Sequence, residues 1–170
     1  IITCAKGLTS GYAPMGAMIA SNALMEPFIA GGHTFMHGTT FAGPPVAAAV
    51  ALANLDAFER EGINEHVREN EGAFLATLDK LRDLPIVGDV RGAGYFYGIE
   101  LARDNVPAAP DGTKVTGAAI AQALYEHGLY CRVDQRREPV IELAPPLICD
   151  QSHFDEFERI IRLVLQDVSR

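Results

Sequence analysis

Short apolar runs alternate with glycine and proline along the first third of the chain. Ile1 to Cys4 reads as a strand end that runs into Lys6-Gly7, and Met15 to Ala20 as a second short buried strand. Between them lies a loop punctuated by Gly7, Gly11 and Gly16 around Pro14. Ser21 is placed to cap a short helix through Phe28, closed by Gly31-Gly32. His33 to Gly43 is polar and loop-like, and Pro44-Pro45 sits where helices start. The helix predicted from Val46 to Arg60 carries small residues on most faces, which lets backbones approach closely and predicts burial. Asn64 is expected to cap a second helix, Glu65 to Leu84, in which Leu75, Leu78 and Leu81 lie at helical spacing and Pro85 ends the run.

The remainder predicts an α+β unit. Tyr95 to Leu101 alternates as a strand does, and Asn105 to Thr113 is a Pro/Gly loop. Val115 to His127 predicts a helix with Gly128 just past its end. Leu129 to Asp134 and Val140 to Leu143 predict strands. A last helix starting at Asp150 or Ser152 buries Phe154, Phe157, Ile161, Val164 and Val168 at spacings of three and four.

Composition narrows the function classes. At 170 residues, 48% hydrophobic and 21% charged, the chain reads as an ordinary globular protein able to bury a core. The net charge of −8 is scattered, so neither the basic stripe of a nucleic-acid binder nor an acidic tail is present. The three cysteines, Cys4, Cys131 and Cys149, form no C-x-x-C, which argues against a disulfide scaffold or zinc site and fits a reducing cytoplasm. No apolar run approaches the roughly 20 residues that span a bilayer. The start has no basic segment and no initiator Met, and reads like a chain entered mid-strand, a first hint of a fragment.

Two blocks carry chemistry. The first is Ala5-Lys6-Gly7-Leu8-Thr9-Ser10-Gly11-Tyr12-Ala13-Pro14-Met15-Gly16-Ala17. Imine-forming lysines favour such a setting, because desolvation leaves more of the amine neutral, and glycines let a flat cofactor approach the backbone. The second is His37-Gly38-Thr39-Thr40-Phe41-Ala42-Gly43-Pro44-Pro45-Val46-Ala47. Hydroxyls and amides gathered before a helix N-terminus can bind a phosphate without a metal. Alone, each has a blander reading: a solvated lysine, and a capped loop.

Together the blocks resemble the class III (omega) aminotransferases of the fold-type-I pyridoxal-phosphate (PLP) family. The run after Lys6 looks like the amine/β-alanine:pyruvate transaminase branch. Further matches lie at Arg91-Gly92-Ala93-Gly94, Gly98-Ile99-Glu100-Leu101 and Ala144-Pro145-Pro146-Leu147-Ile148, so the resemblance covers essentially the whole chain. It implies an α/β fold made of the carboxy-terminal part of such an enzyme: residues 1–60 ending the large cofactor domain, 61–84 a connecting helix, and 85–170 a small α+β domain.

By position, Lys6 corresponds to the Schiff-base lysine. Thr40 corresponds to the threonine that reaches the cofactor phosphate of the neighbouring subunit, so a homodimer is implied, and Thr39 adds a backbone amide. Arg132 matches the arginine that recognises the substrate carboxylate, for which its planar fork is suited. The partners implied are an amino donor and a keto-acid acceptor such as pyruvate. The aspartate for the pyridine nitrogen, the stacking aromatic and the glycine/serine phosphate loop lie upstream of the lysine in this family. Only five residues precede Lys6, so the missing amino-terminal part becomes a further partner, and the chain alone is expected to be inactive.

Two departures stand out. Pro44 occupies a position where His is common, and Gln135-Arg136-Arg137-Glu138 looks like an insertion that brings two more arginines near Arg132. Arg91-Gly92-Ala93-Gly94 fails as a dinucleotide fingerprint, since Tyr97 stands where glycine is needed. Gly11 and Gly16 have phosphate-loop spacing, but Ala17 replaces the required lysine. His33 and His37 have no third ligand, so no metal is expected. The alternatives left open are a non-catalytic folded remnant and a related class III enzyme of the aminomutase or ornithine-aminotransferase type.

Overall fold

The computed structural model describes residues 1–102, 116–134, 136 and 138–168. The expected 105–113 loop, Val115, and the Gln135 and Arg137 portions of the insertion lie outside the described residues. The chain forms two compact units, Ile1–Gly62 and Ile63–Arg170.

In the first unit, β1 (Ile2–Ala5) pairs antiparallel with β2 (Gly16–Ile19), with Ile2 opposite Ile19 and Ala5 opposite Gly16. Helix α1 spans Asn22–Ala30; Ser21 holds the extended N-cap backbone but makes no capping hydrogen bond through its side chain. Helix α2 (Pro45–Arg60) starts with Pro45 in the first turn, where a missing N–H costs nothing.

The predicted burial of α2 does not hold within this chain. Only Ala47 and Ala51 are buried, while Val46 and Leu52 are 76% and 63% exposed. Small side chains permit close packing, but burial also requires a facing surface. Exposed apolar residues recur along this unit, among them Ile1, Ile29, Phe35, Met36 and Phe41.

The second unit holds the larger core. Helix α3 covers Ile63–Asp79, beginning one residue before the expected cap. Its α-helical part ends five residues before Leu84, passing into a 3-10 turn at Lys80–Asp83. Leu81 is fully buried in that tighter turn. Strands β3 (Val87–Ala93) and β4 (Phe96–Leu101) form a hairpin. β3 escaped the sequence reading because Gly88 and Gly92 interrupt its alternation. The whole antiparallel sheet runs β3-β4-β6-β5, with β5 at Arg132–Asp134 and β6 at Val140–Leu143.

Helix α4 (Gly117–Glu126) ends in a Schellman motif. Gly128 (φ +91°) donates to the Tyr125 carbonyl, and Leu129 donates to that of Leu124 at 2.9 Å. This use of the Leu129 amide is why β5 starts at Arg132 and not at Leu129. Helix α5 (Gln151–Val168) buries Phe154, Ile160, Ile161, Val164 and Leu165, with Phe157 and Val168 half-buried. The predicted register is right, and Ile160 and Leu165 widen the apolar stripe.

At the centre of this core is Phe74, fully buried on α3. It stacks on Phe154 at 4.5 Å and meets Tyr95 and Tyr97 edge-on at 5.5 and 5.2 Å. The buried sheet face carries Tyr97, Ile99, Leu101, Ile141 and Leu143. On the other face Arg91, Gly98, Glu142 and Arg132 line up in register across all four strands.

Candidate active site

Lys6 follows β1 directly and opens a 3-10 turn through Thr9. Its backbone is left-handed, at φ +51°, and Ser10 (+49°) and Gly11 (+79°) share that region. A side chain with a Cβ rarely adopts it, at a cost of order 1–3 kcal/mol. The turn is correspondingly tied down. Ser10 donates its amide to the Gly7 carbonyl at 3.1 Å and Tyr12 to the Thr9 carbonyl at 3.0 Å. Thr9 is buried and donates its hydroxyl to the Ala13 carbonyl at 2.5 Å.

A third tie comes from far along the chain. Asn54, in the interior of α2, donates its carboxamide to the Gly7 and Leu8 carbonyls, both at 3.1 Å. Its oxygen accepts the Ser10 hydroxyl at 2.5 Å. Asn54 was not among the residues singled out from the sequence. The available signal was an asparagine in the middle of an Ala/Leu-rich helix, a position where its local hydrogen bonding normally disfavours it.

Lys6 is exposed in this chain, not enclosed as its apolar sequence neighbours suggest. Cys4 and Leu8 are only partly covered and Ala5 is open, because strand neighbours alternate between faces and cannot wrap one side chain. Thr39 and Thr40 occupy the turn before α2, where Ala42 donates to the Thr39 carbonyl at 3.0 Å and Gly43 takes φ +74°. Both threonines are exposed, and among the described residues neither hydrogen-bonds the Lys6 turn.

Arg132 belongs to the second unit, exposed on β5, with Nε 3.7 Å from Oε2 of its cross-strand partner Glu142. It lines a cleft of about 350 Å³ with Phe96, Tyr130, Glu142, Pro145 and Pro146 among others. Of the inserted arginines, Arg136 is taken up by Asp134, to which its guanidinium donates at 2.9 Å from Nε and 2.5 Å from Nη2. That bidentate pairing holds the Asp134 carboxyl down at about 2. Arg136 is therefore already engaged by a carboxylate of its own strand end. Arg137 lies outside the described residues. Burial pushes the Cys131 thiol, beside Arg132, up to about 11, which keeps it protonated at neutral pH.

The arginine-glycine motif has a structural use. Gly94 (φ +57°) and Tyr95 form the two-residue β3–β4 turn, the glycine-first arrangement of a type II′ hairpin. Glu71 accepts the Gly94 amide at 2.9 Å. Among the described residues no helix is long and apolar enough to cross a membrane.

The model of the family "Aminotransferase class-III" matches residues 1–165. This chain belongs to the class-III aminotransferases. A "Probable aminotransferase" of Mycobacterium tuberculosis is 56% identical over 100% of this chain and 37% of its own length. The putrescine–pyruvate aminotransferase of Pseudomonas aeruginosa is 34% identical over 99% of this chain and 36% of its own. The ornithine aminotransferase of Staphylococcus carnosus is 38% identical over 91% and 35%. The crystal structure of an (S)-enantioselective omega-transaminase from Thermomicrobium roseum superposes with a TM-score of 0.84, at 33% identity, over 99% of this chain and 37% of that one. The mixed helix-and-sheet fold is thus that of part of a transaminase, and the chain spans little more than a third of these relatives.

Class-III aminotransferases are PLP-dependent, and the donor set here suits two ends of that cofactor. A primary amine fits its aldehyde, and the threonine hydroxyls and amides of the turn before α2 fit its phosphate.

Proposed function

We propose that this chain is the carboxy-terminal part of a PLP-dependent transaminase that moves an amino group from an amine or omega-amino acid to a keto acid such as pyruvate. The observation that supports this most is Lys6, held in left-handed backbone at the end of β1 in a chain matched by the family model over residues 1–165. A strained residue on an over-determined turn is a mark of functional sites.

The bound cofactor would supply the electron sink that stabilises negative charge at the reacting carbon. Lys6 would hold the cofactor through its Nζ and, once released, would take a proton from the donor carbon as general base and deliver it to the cofactor's C4′ as general acid. Thr40 would donate its hydroxyl to the phosphate bound by the neighbouring subunit of a homodimer, with the Thr39 amide beside it. Arg132 would pair with the carboxylate of the keto acid and swing aside for an uncharged amine.

Residues 1–60 would end the large cofactor domain, 61–84 connect, and 85–170 form the small domain, with an amino-terminal part of the same cytoplasmic enzyme completing the site. Isolated, these 170 residues should not turn over; measurable transamination by the chain alone would refute that. An ornithine-type specificity is the second reading, favoured by the 38% identity to the ornithine aminotransferase. The test of the main reading is chemical trapping: incubation with PLP, borohydride reduction and mapping of the modified lysine. Selective labelling at Lys6 supports it, and selective labelling of a different lysine overturns it.

A further inference from the structure

The geometry points to Asn54 as the positioning residue of the Lys6 turn: its carboxamide sets the direction in which the amine is presented to the cofactor. This rests on the reading of Lys6 given above. On its upstream side Lys6 is anchored by β1, where Cys4 and Ala5 pair with Ala17 and Gly16. On its downstream side the carbonyls of Gly7 and Leu8 both accept from the Asn54 carboxamide, and its oxygen accepts from Ser10. All the hydrogen-bonding capacity of the NH2 group is used, and the opposite orientation would set oxygen against two carbonyl oxygens, so the network admits one orientation. Lys6 thus lies between two fixed points, in a backbone region its own side chain does not favour.

The anchor also spans 47 residues of sequence, from Gly7 to Asn54. Helix α2 is the element that the Thr39–Thr40 turn leads into. One side chain therefore ties the lysine turn to the helix that follows the threonine pair. A change at this position should act on the lysine and not on the recognition of the keto-acid carboxylate, which is assigned to Arg132 in the other unit.

The test uses the full-length, PLP-loaded protein carrying Asn54→Asp, Asn54→Ala or Ser10→Ala. Aspartate keeps the shape but only accepts, so it faces the two carbonyls with negative oxygens. Ser10→Ala removes a single exposed hydroxyl and should leave folding intact. Three readouts are compared: the pH midpoint of the cofactor's visible absorbance, the rate at which borohydride fixes PLP to Lys6, and kcat against KM for the keto acid.

The proposal expects Asn54→Asp and Asn54→Ala to move the midpoint by at least about half a pH unit. They should slow fixation and lower kcat by about 10- to 100-fold with KM little changed, since small misplacements of a reacting group have effects of that size. Ser10→Ala should move all three in the same direction by less. Folded variants with an unchanged midpoint and fixation rate, whatever their melting temperature, would overturn it. Failure of the unaltered protein to label at Lys6 would remove the reading of Lys6 and this proposal together, whereas normal labelling with unresponsive variants would remove only the role of Asn54.

Discussion

Arg132 and Glu142 stand directly opposite each other across the β5–β6 pair, with the guanidinium Nε 3.7 Å from the carboxylate. Glu142 lies next to Gly98 on its other side, so no side chain from β4 crowds it. An exposed pair at this separation is weak, worth at most about 1 kcal/mol. It is strong enough to occupy the arginine and weak enough to yield it. Under the proposed role of Arg132 as the keto-acid carboxylate ligand, Glu142→Gln should lower the KM for the keto acid by about two- to fivefold. Arg132→Leu should raise it by about tenfold or more, the size of a lost charge-assisted hydrogen bond. Steady-state kinetics on the full-length protein check both.

Phe74 joins α3, α5 and the β3–β4 hairpin through its contacts with Phe154, Tyr95 and Tyr97. Phe74→Ala should cost about 3–5 kcal/mol, because rings packed on several sides cannot all collapse into the cavity. Chemical denaturation would show this as a fall in midpoint, with Lys6 labelling retained below the transition.

Gly92 faces the hairpin at close range. A Cβ there would lie 2.1 Å from the Phe96 carbonyl oxygen and 2.7 Å from the Tyr97 Cα. These are backbone atoms of the paired strand and cannot rotate away. Gly92→Ala should therefore destabilise by at least about 3 kcal/mol, at the upper end for overpacking. Gly7→Ala, by contrast, meets no atom within 4 Å and should be tolerated in the denaturation midpoint.

Asp150 caps α5, accepting from the Ser152 amide at 3.0 Å and the Ser152 hydroxyl at 2.6 Å, with His153 Nδ1 2.7 Å from the same carboxylate oxygen. Ser152 and His153 hold its carboxyl down at about 2, from an ordinary 3.8. A depressed carboxyl stabilises the fold above its unfolded value and loses that contribution as pH falls through the folded one. The Tm gap between the unaltered protein and Asp150→Ala should thus be full above about pH 4 and shrink steadily towards pH 2. At neutral pH it should be about 2–4 °C, typical for loss of a helix cap in a chain of this size.

Local chemistry alone made much of this chain legible. The strand at residues 140–143, the stop at Gly128, the start of α2 at the prolines and the apolar stripe of α5 all follow from short-range rules. The choice of Lys6, Thr39, Thr40 and Arg132 as candidates came instead from the resemblance of their motifs to those of class III aminotransferases. What tertiary structure alone decided depends on groups distant in sequence. The exposure of α2 depends on which surfaces face it, and the small residues of that helix do not record this. Strand β3 forms because Gly92 lets Phe96 and Tyr97 approach its backbone, a fit invisible to alternation. The bond between Asn54 and the Lys6 turn closes a loop of 47 residues, and a hydrogen bond of that span has no periodicity to betray it.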